Sequence, residues 1–149
     1  MMISCTEFIP AYSEGFKFLE MLGGRKEVEK FWSELSDIYL KDSLTRLMAE
    51  EGVGGCFTYW EHSLNEEAAD FSMELDESKG EFRIDMHRCP SKGMLNRMNH
   101  MTPYHSYCDH CPALYSRVAE KSGYVYESEI DSENASCSLK IKIRNNDGK

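Results

Sequence analysis

The sequence predicts an α+β fold, with N-terminal helices followed by two β-hairpins that form a four-stranded antiparallel sheet and helices packed on one face of it. Three observations point there. Apolar residues recur at helical spacing through the first third of the chain, two later stretches alternate strictly between apolar and polar residues, and a segment with a proline at its start separates them. At 149 residues the chain has the size of one ordinary domain, and 1–149 is expected to be one. Its helical part should cover about 8–52, its hairpin–helix–hairpin part about 54–143, and 145–149 should fray.

The first helix is expected over Phe8 to Leu22, with Pro10 in its opening turn and Ala11, Gly15, Phe18 or Leu19, and Leu22 at helical spacing. Gly23-Gly24 ends it. A second helix starts near Lys26, where Val28, Phe31, Trp32, Leu35 and Tyr39 form an apolar stripe read as core. Asp42 or Ser43 suits the cap of a short third helix carrying Leu44, Leu47 and Met48, stopped by Gly52 and Gly54-Gly55. The aromatic run from Cys56 to Leu64 suits a strand or a helical turn equally and stays open.

Ala69, Phe71, Met73 and Leu75 alternate with polar residues, as do Phe82, Ile84 and Met86 after a DESKG turn, which makes a hairpin with one wet face. Pro90 ends its second strand, and the residues after it form a short helix or an irregular loop. Pro112 is expected to open a helix that Gly123 closes. Tyr124 to Ile130 and Cys137 to Ile143 are then the second hairpin.

The composition, 41% hydrophobic and 29% charged, is that of a globular protein, and no apolar run approaches the roughly 18 residues a membrane span needs. Six cysteines without an export leader point to a reducing cytoplasm, where thiols serve as ligands, nucleophiles or core residues. A net charge of −9 repels phosphate backbones and acidic lipid, so neither nucleic acid nor a membrane is an expected partner. A small molecule is the expected partner, and the size admits a homo-oligomer.

The chemistry concentrates between Glu81 and Tyr115, which holds three of the six cysteines and four of the five histidines. Cys89-Pro90 and Cys111-Pro112 each look like a helix cap followed by its first residue, and a thiol at a helix N-terminus ionises more easily. Cys111 is thus a candidate nucleophile, with His105 or His110 as base and Asp109 holding the other nitrogen of that histidine. Neighbours one apart on a helix do not face each other, which turns His110 away from Cys111 and leaves His105, in a loop, freer to reach. Cys89 is the second candidate, and with His87 it should lie opposite the apolar face of the strand.

A metal reading uses Cys89, His105, Cys108 and Cys111, donors in the number and softness that a tetrahedral zinc, or iron, takes. Cys108 and Cys111 also form a CxxC, which admits a redox dithiol. Arg83, Arg88, Lys92 and Arg97 outnumber the one acid in their stretch, and Arg88 or Arg97 can anchor a carboxylate. Cys137 alternates with Leu139, Ile141 and Ile143 and is read as a core thiol.

The run of strand, Cys89-Pro90, helix, Cys108-Asp109-His110-Cys111, helix and a final strand opened by Cys137 resembles the L-2-amino-thiazoline-4-carboxylate hydrolase family, over roughly Gly54 to Ile143. The resemblance implies a small α+β protein that opens a thiazoline ring by hydrolysis to N-carbamoyl-L-cysteine. It places Cys89, Cys111 and Cys137 at the family's cysteine positions, with Cys108 as an addition. The order of helices and hairpins also resembles the vinyl-4-reductase type of small-molecule-binding domain.

Overall fold

The structure is a computed structural model that describes residues 7–145, so Cys5 and most of the tail lie outside the described residues. It has the expected α+β architecture. Helices α1 (Phe8–Gly23) and α2 (Arg25–Tyr39) form an antiparallel pair. A π-helical turn, Lys41–Thr45, runs from α2 into α3 (Arg46–Glu51), and α4 spans Val53–Glu66. Strands β1 (Asp70–Asp76) and β2 (Glu81–Arg88) form the first hairpin, followed by α5 (Pro90–Arg97). A 3-10 turn, Tyr107–Asp109, leads into α6 (His110–Lys121), and β3 (Tyr124–Asp131) and β4 (Ser136–Ile143) close the order.

The sheet is antiparallel throughout, in the order β1-β2-β4-β3. Phe82, Ile84 and Met86 of β2 pair with Ile141, Leu139 and Cys137 of β4, so one face of the sheet collects the apolar residues of each strand. Helix α4 packs on β1 and β2, and α6 on β3. The apolar core fills the space between, and the Trp60 ring stacks on Phe82 with centroids 5.5 Å apart and planes 15° from parallel. A second, aromatic core joins α1, α2, α5 and the loop before α6 around Phe16, Trp32, Tyr104 and Tyr107.

Several local readings change. The open run Cys56 to Leu64 is helical, because Val53, Cys56, Trp60 and Leu64 recur at the 3.6-residue period and bury one side of α4. Gly54-Gly55 lies inside that helix rather than stopping it. Gly55 is where α4 crosses α3, and a Cβ there would stand 2.3 Å from the Leu47 carbonyl oxygen. Neither Asp42 nor Ser43 caps a helix, since the chain runs from α2 through the π turn without a break. In α1 the buried residues are Ile9, Ser13 and Phe16, while Phe18 and Leu22 face outwards. In α2, Val28 and Trp32 are fully buried, whereas Phe31 and Tyr39 are exposed.

Trp60 joins the helical layer to the sheet, so Trp60→Ala should lower the unfolding free energy by about 3–5 kcal/mol. Urea titration of wild type and variant checks this, and Trp60→Phe should lose less.

Candidate functional site

The four half-buried cysteines come from the end of β2, the 3-10 turn, the start of α6 and β4, and they lie near enough for Cys111 to act electrostatically on the other three. Cys89 follows β2 and is the N-cap of α5, with Pro90 behind it, as read from the sequence. Its Sγ accepts the Lys92 N–H at 3.5 Å, and its own N–H donates to the Ala135 carbonyl at 2.7 Å. That second bond, with the Asn96 amide donating to the Ser132 and Glu133 carbonyls, clasps the β3–β4 turn to α5.

Cys111 is not a cap. Helix α6 begins at His110 and its N-cap position is Asp109, so Cys111 and Pro112 both lie in the first turn. The first four N–H groups of a helix have no partner within it, so proline is tolerated there as readily as at the first position. The His110 ring folds back on its neighbour, and Nε2 stands 3.5 Å from Cys111 Sγ. Adjacency in sequence therefore does not part the two. The other ring nitrogen, Nδ1, lies 2.5 Å from the Tyr107 carbonyl oxygen, which can only accept. In the neutral ring Nε2 is then the bare nitrogen, aimed at the thiol. Tyr12, Phe16 and Tyr107 surround the ring, and burial lowers its pKa and favours that neutral form.

Asp109 does not hold His110. It accepts from Arg25 of α2 at 3.0 Å. His105 is turned to α1, with Nε2 2.9 Å from Glu20 and Nδ1 2.8 Å from the Ser106 hydroxyl. It shares a polar hollow of about 210 Å³ with Lys92, Cys108 and Ser132, so it lies near Cys108 while both its nitrogens are engaged. His87 is exposed on the outer face between Asp70 and Ser72.

The thiols are shifted opposite to the helix-dipole expectation. Burial pushes Cys111 up to about 12, and the charge acting on it, the Glu67 carboxylate, pushes the same way. Burial also raises Cys89. Cys108 rises to about 12 through burial and then through Cys111 and Cys89, the reverse of a reactive dithiol. Cys137 rises to about 12 through burial and through the other three thiols. It lies on the inward face as its alternation requires, but it is half-buried and belongs with the other cysteines rather than the core. Among the described residues no three His, Cys, Asp or Glu side chains stand close enough together to hold a metal ion.

Three tyrosines and an acid complete the surroundings. Tyr59 of α4, Tyr115 of α6 and Tyr126 of β3 are half-buried, and burial raises the pKa of each. Glu67 caps the C-terminus of α4, where partial burial raises its carboxyl, and its charge acts on Cys111, Cys89, Tyr59 and Tyr115. None of these four stood out in the sequence. No motif singles out the tyrosines, and Glu67 is one of many acids in the chain.

The basic patch is dispersed. Arg83 is exposed and held by Asp85 through two bonds of 2.9 Å, Arg88 lies along Gly93, and Arg97 is exposed at the end of α5. Lys92 is the cation whose charge lowers Cys108. No family model, curated protein or solved structure matches the chain.

The raised thiols carry a pH signature. Cys56, Cys108, Cys111 and Cys137 each move from 9.0 to about 12, so the folded chain holds protons that the unfolded chain releases. Stability from this source is complete below pH 9 and is lost as pH rises towards 12. Denaturant midpoints measured from pH 8 to 11 should fall steadily, and Cys56→Val should flatten the fall.

Proposed function

We propose that the protein is a thiol-dependent hydrolase acting on a small carboxylated ring that contains nitrogen and sulfur. The observation that carries this reading is the Cys111–His110 pair, a thiol 3.5 Å from the bare nitrogen of a ring whose other nitrogen is fixed on a backbone carbonyl. Because burial keeps Cys111 protonated at neutral pH, His110 takes the proton during attack rather than meeting a ready-made thiolate. The sulfur of Cys111 bonds to the ring carbon between nitrogen and sulfur, the ring carbon–sulfur bond breaks, and His110 returns the proton to the departing sulfur. Water then displaces Cys111 from that carbon. Lys92, beside Cys108, is the cation best placed for the carboxylate, and Glu67 suits the cationic nitrogen end. The likeness to the amino-thiazoline-carboxylate hydrolase family supports the same substrate class, and the reducing cytoplasm is its proposed setting.

A second reading has its own observation, the action of Cys89, Cys108 and Cys111 on Cys137 and of Cys89 and Cys111 on Cys108. Thiols that raise their neighbours are what a soft cation relieves, and zinc or iron bound there would draw the four together with Cys137 in place of His105.

Two measurements separate the readings. Cys111→Ser should cut turnover of 2-amino-thiazoline-4-carboxylate at least about a hundredfold, and unchanged turnover would remove the nucleophile. Elemental analysis of protein purified without tag or added metal should find less than about a tenth of an equivalent of zinc or iron under the hydrolase reading, whereas near-stoichiometric metal would favour the second.

A further inference from the structure

The outward side of α1 is apolar and uncovered among the described residues. Of the ten exposed large hydrophobic residues there, seven lie on α1 and α2, which makes this a patch rather than scatter. On α1, Phe8 is 76% exposed, Phe18 56%, Met21 73% and Leu22 64%, and Phe31 of α2 is 36% exposed. A groove of about 370 Å³ runs along this side, walled by Phe8, Ala11, Tyr12, Gly15, Phe18 and Phe31.

The stripe is its own mirror about Gly15. Phe8 and Leu22 lie seven positions to either side of it, Ala11 and Leu19 four, and Tyr12 and Phe18 three. A two-fold axis through Gly15 therefore sets each member of the stripe against its counterpart on an antiparallel copy, which is the self-complementarity that a two-fold interface needs. Nothing lies within 4 Å of where a Gly15 Cβ would be, so the crossing point is bare and two helices can approach closely there. Glu14 and Lys17, ion-paired at 2.7 Å beside the stripe, can each meet the opposite charge on the other copy.

The exposed parts of Phe8, Phe18, Leu22, Phe31 and, two turns beyond Phe31 on α2, Ile38 come to on the order of 600 Å² per copy. A stable interface buries roughly 800 Å² per partner. The exposed Ala11 and the half-buried Tyr12 and Leu19 of the same stripe bring the patch nearer that size. We propose that this face of α1 and α2 is the interface between two copies of the chain. The inference is independent of the thiol chemistry.

Sedimentation equilibrium on wild type, Gly15→Lys and Phe18→Asp tests it. Wild type should sediment at the mass of two chains and dissociate on dilution. Gly15→Lys should sediment at half that mass with an unchanged circular dichroism spectrum, because the lysine points into open space in a single copy. If Phe18→Asp does not fold, Gly15→Lys decides alone. A wild type of one-chain mass at about 100 μM, or a Gly15→Lys variant that keeps the two-chain mass, overturns the proposal. Flotation of such a monomer with zwitterionic vesicles would assign the face to lipid instead.

Discussion

One buried hydrogen bond ties the loop before α6 to the N-terminal helices. The Ser13 hydroxyl, on the inward side of α1, accepts the N–H of Tyr104 at 2.8 Å. The stretch from Met98 to Ser106 has no helix or strand to satisfy its backbone, and a buried loop N–H without a partner is costly. Ser13 supplies that partner, while Glu20 receives the Tyr104 hydroxyl at 2.9 Å and Arg25 reaches Asp109. With the loop pinned to α1, Tyr107 presents its carbonyl to His110, and His110 turns to Cys111. The tautomer of His110 is fixed locally, by the Tyr107 carbonyl three residues before it, and the N-terminal helices hold the loop that leads to both.

Desolvation decides the state of the thiols. A helix N-terminus favours a thiolate by a modest amount near the surface, whereas enclosure disfavours the charge far more. Cys89 shows both effects: it caps α5 and accepts a backbone N–H, yet its pKa is raised, with burial the larger cause. Cys111 lacks the cap position and has a carboxylate nearby as well. All four thiols of this region therefore stand in the neutral form, and a nearby positive charge would shift that balance towards the thiolate.

Both hairpins were legible because one-face burial enforces alternation, and that pattern survives without knowledge of the partner strand. The Cys89 cap was legible because it follows a strand that Pro90 must end. The start of α6 was not, since proline fits anywhere in the first turn and the 3-10 turn before it leaves no mark in composition. Helix α4 is ambiguous in the sequence because the run from Cys56 to Leu64 is short and Gly54-Gly55, which reads as a stop, cuts Val53 from it. On α1 the longer apolar stripe faces outwards, while a serine and two apolar residues make the buried side, so hydrophobicity alone pointed to the wrong face. Tyr59, Tyr115, Tyr126 and Glu67 carry no motif, and only the meeting of α4, α6 and β3 gives them a common setting.

The Ser13–Tyr104 bond spans 91 residues, and Ser36 of α2 reaches the Leu114 carbonyl at 2.8 Å across 78. During synthesis, α1 and α2 leave the ribosome long before either acceptor or donor on the far side exists. At about 5–20 residues per second the wait is on the order of 5–20 s. Through that interval Phe16 and Trp32 have no lid, so a nascent chain shows apolar surface on both sides of its first hairpin. The inner side is covered only when Tyr104 arrives.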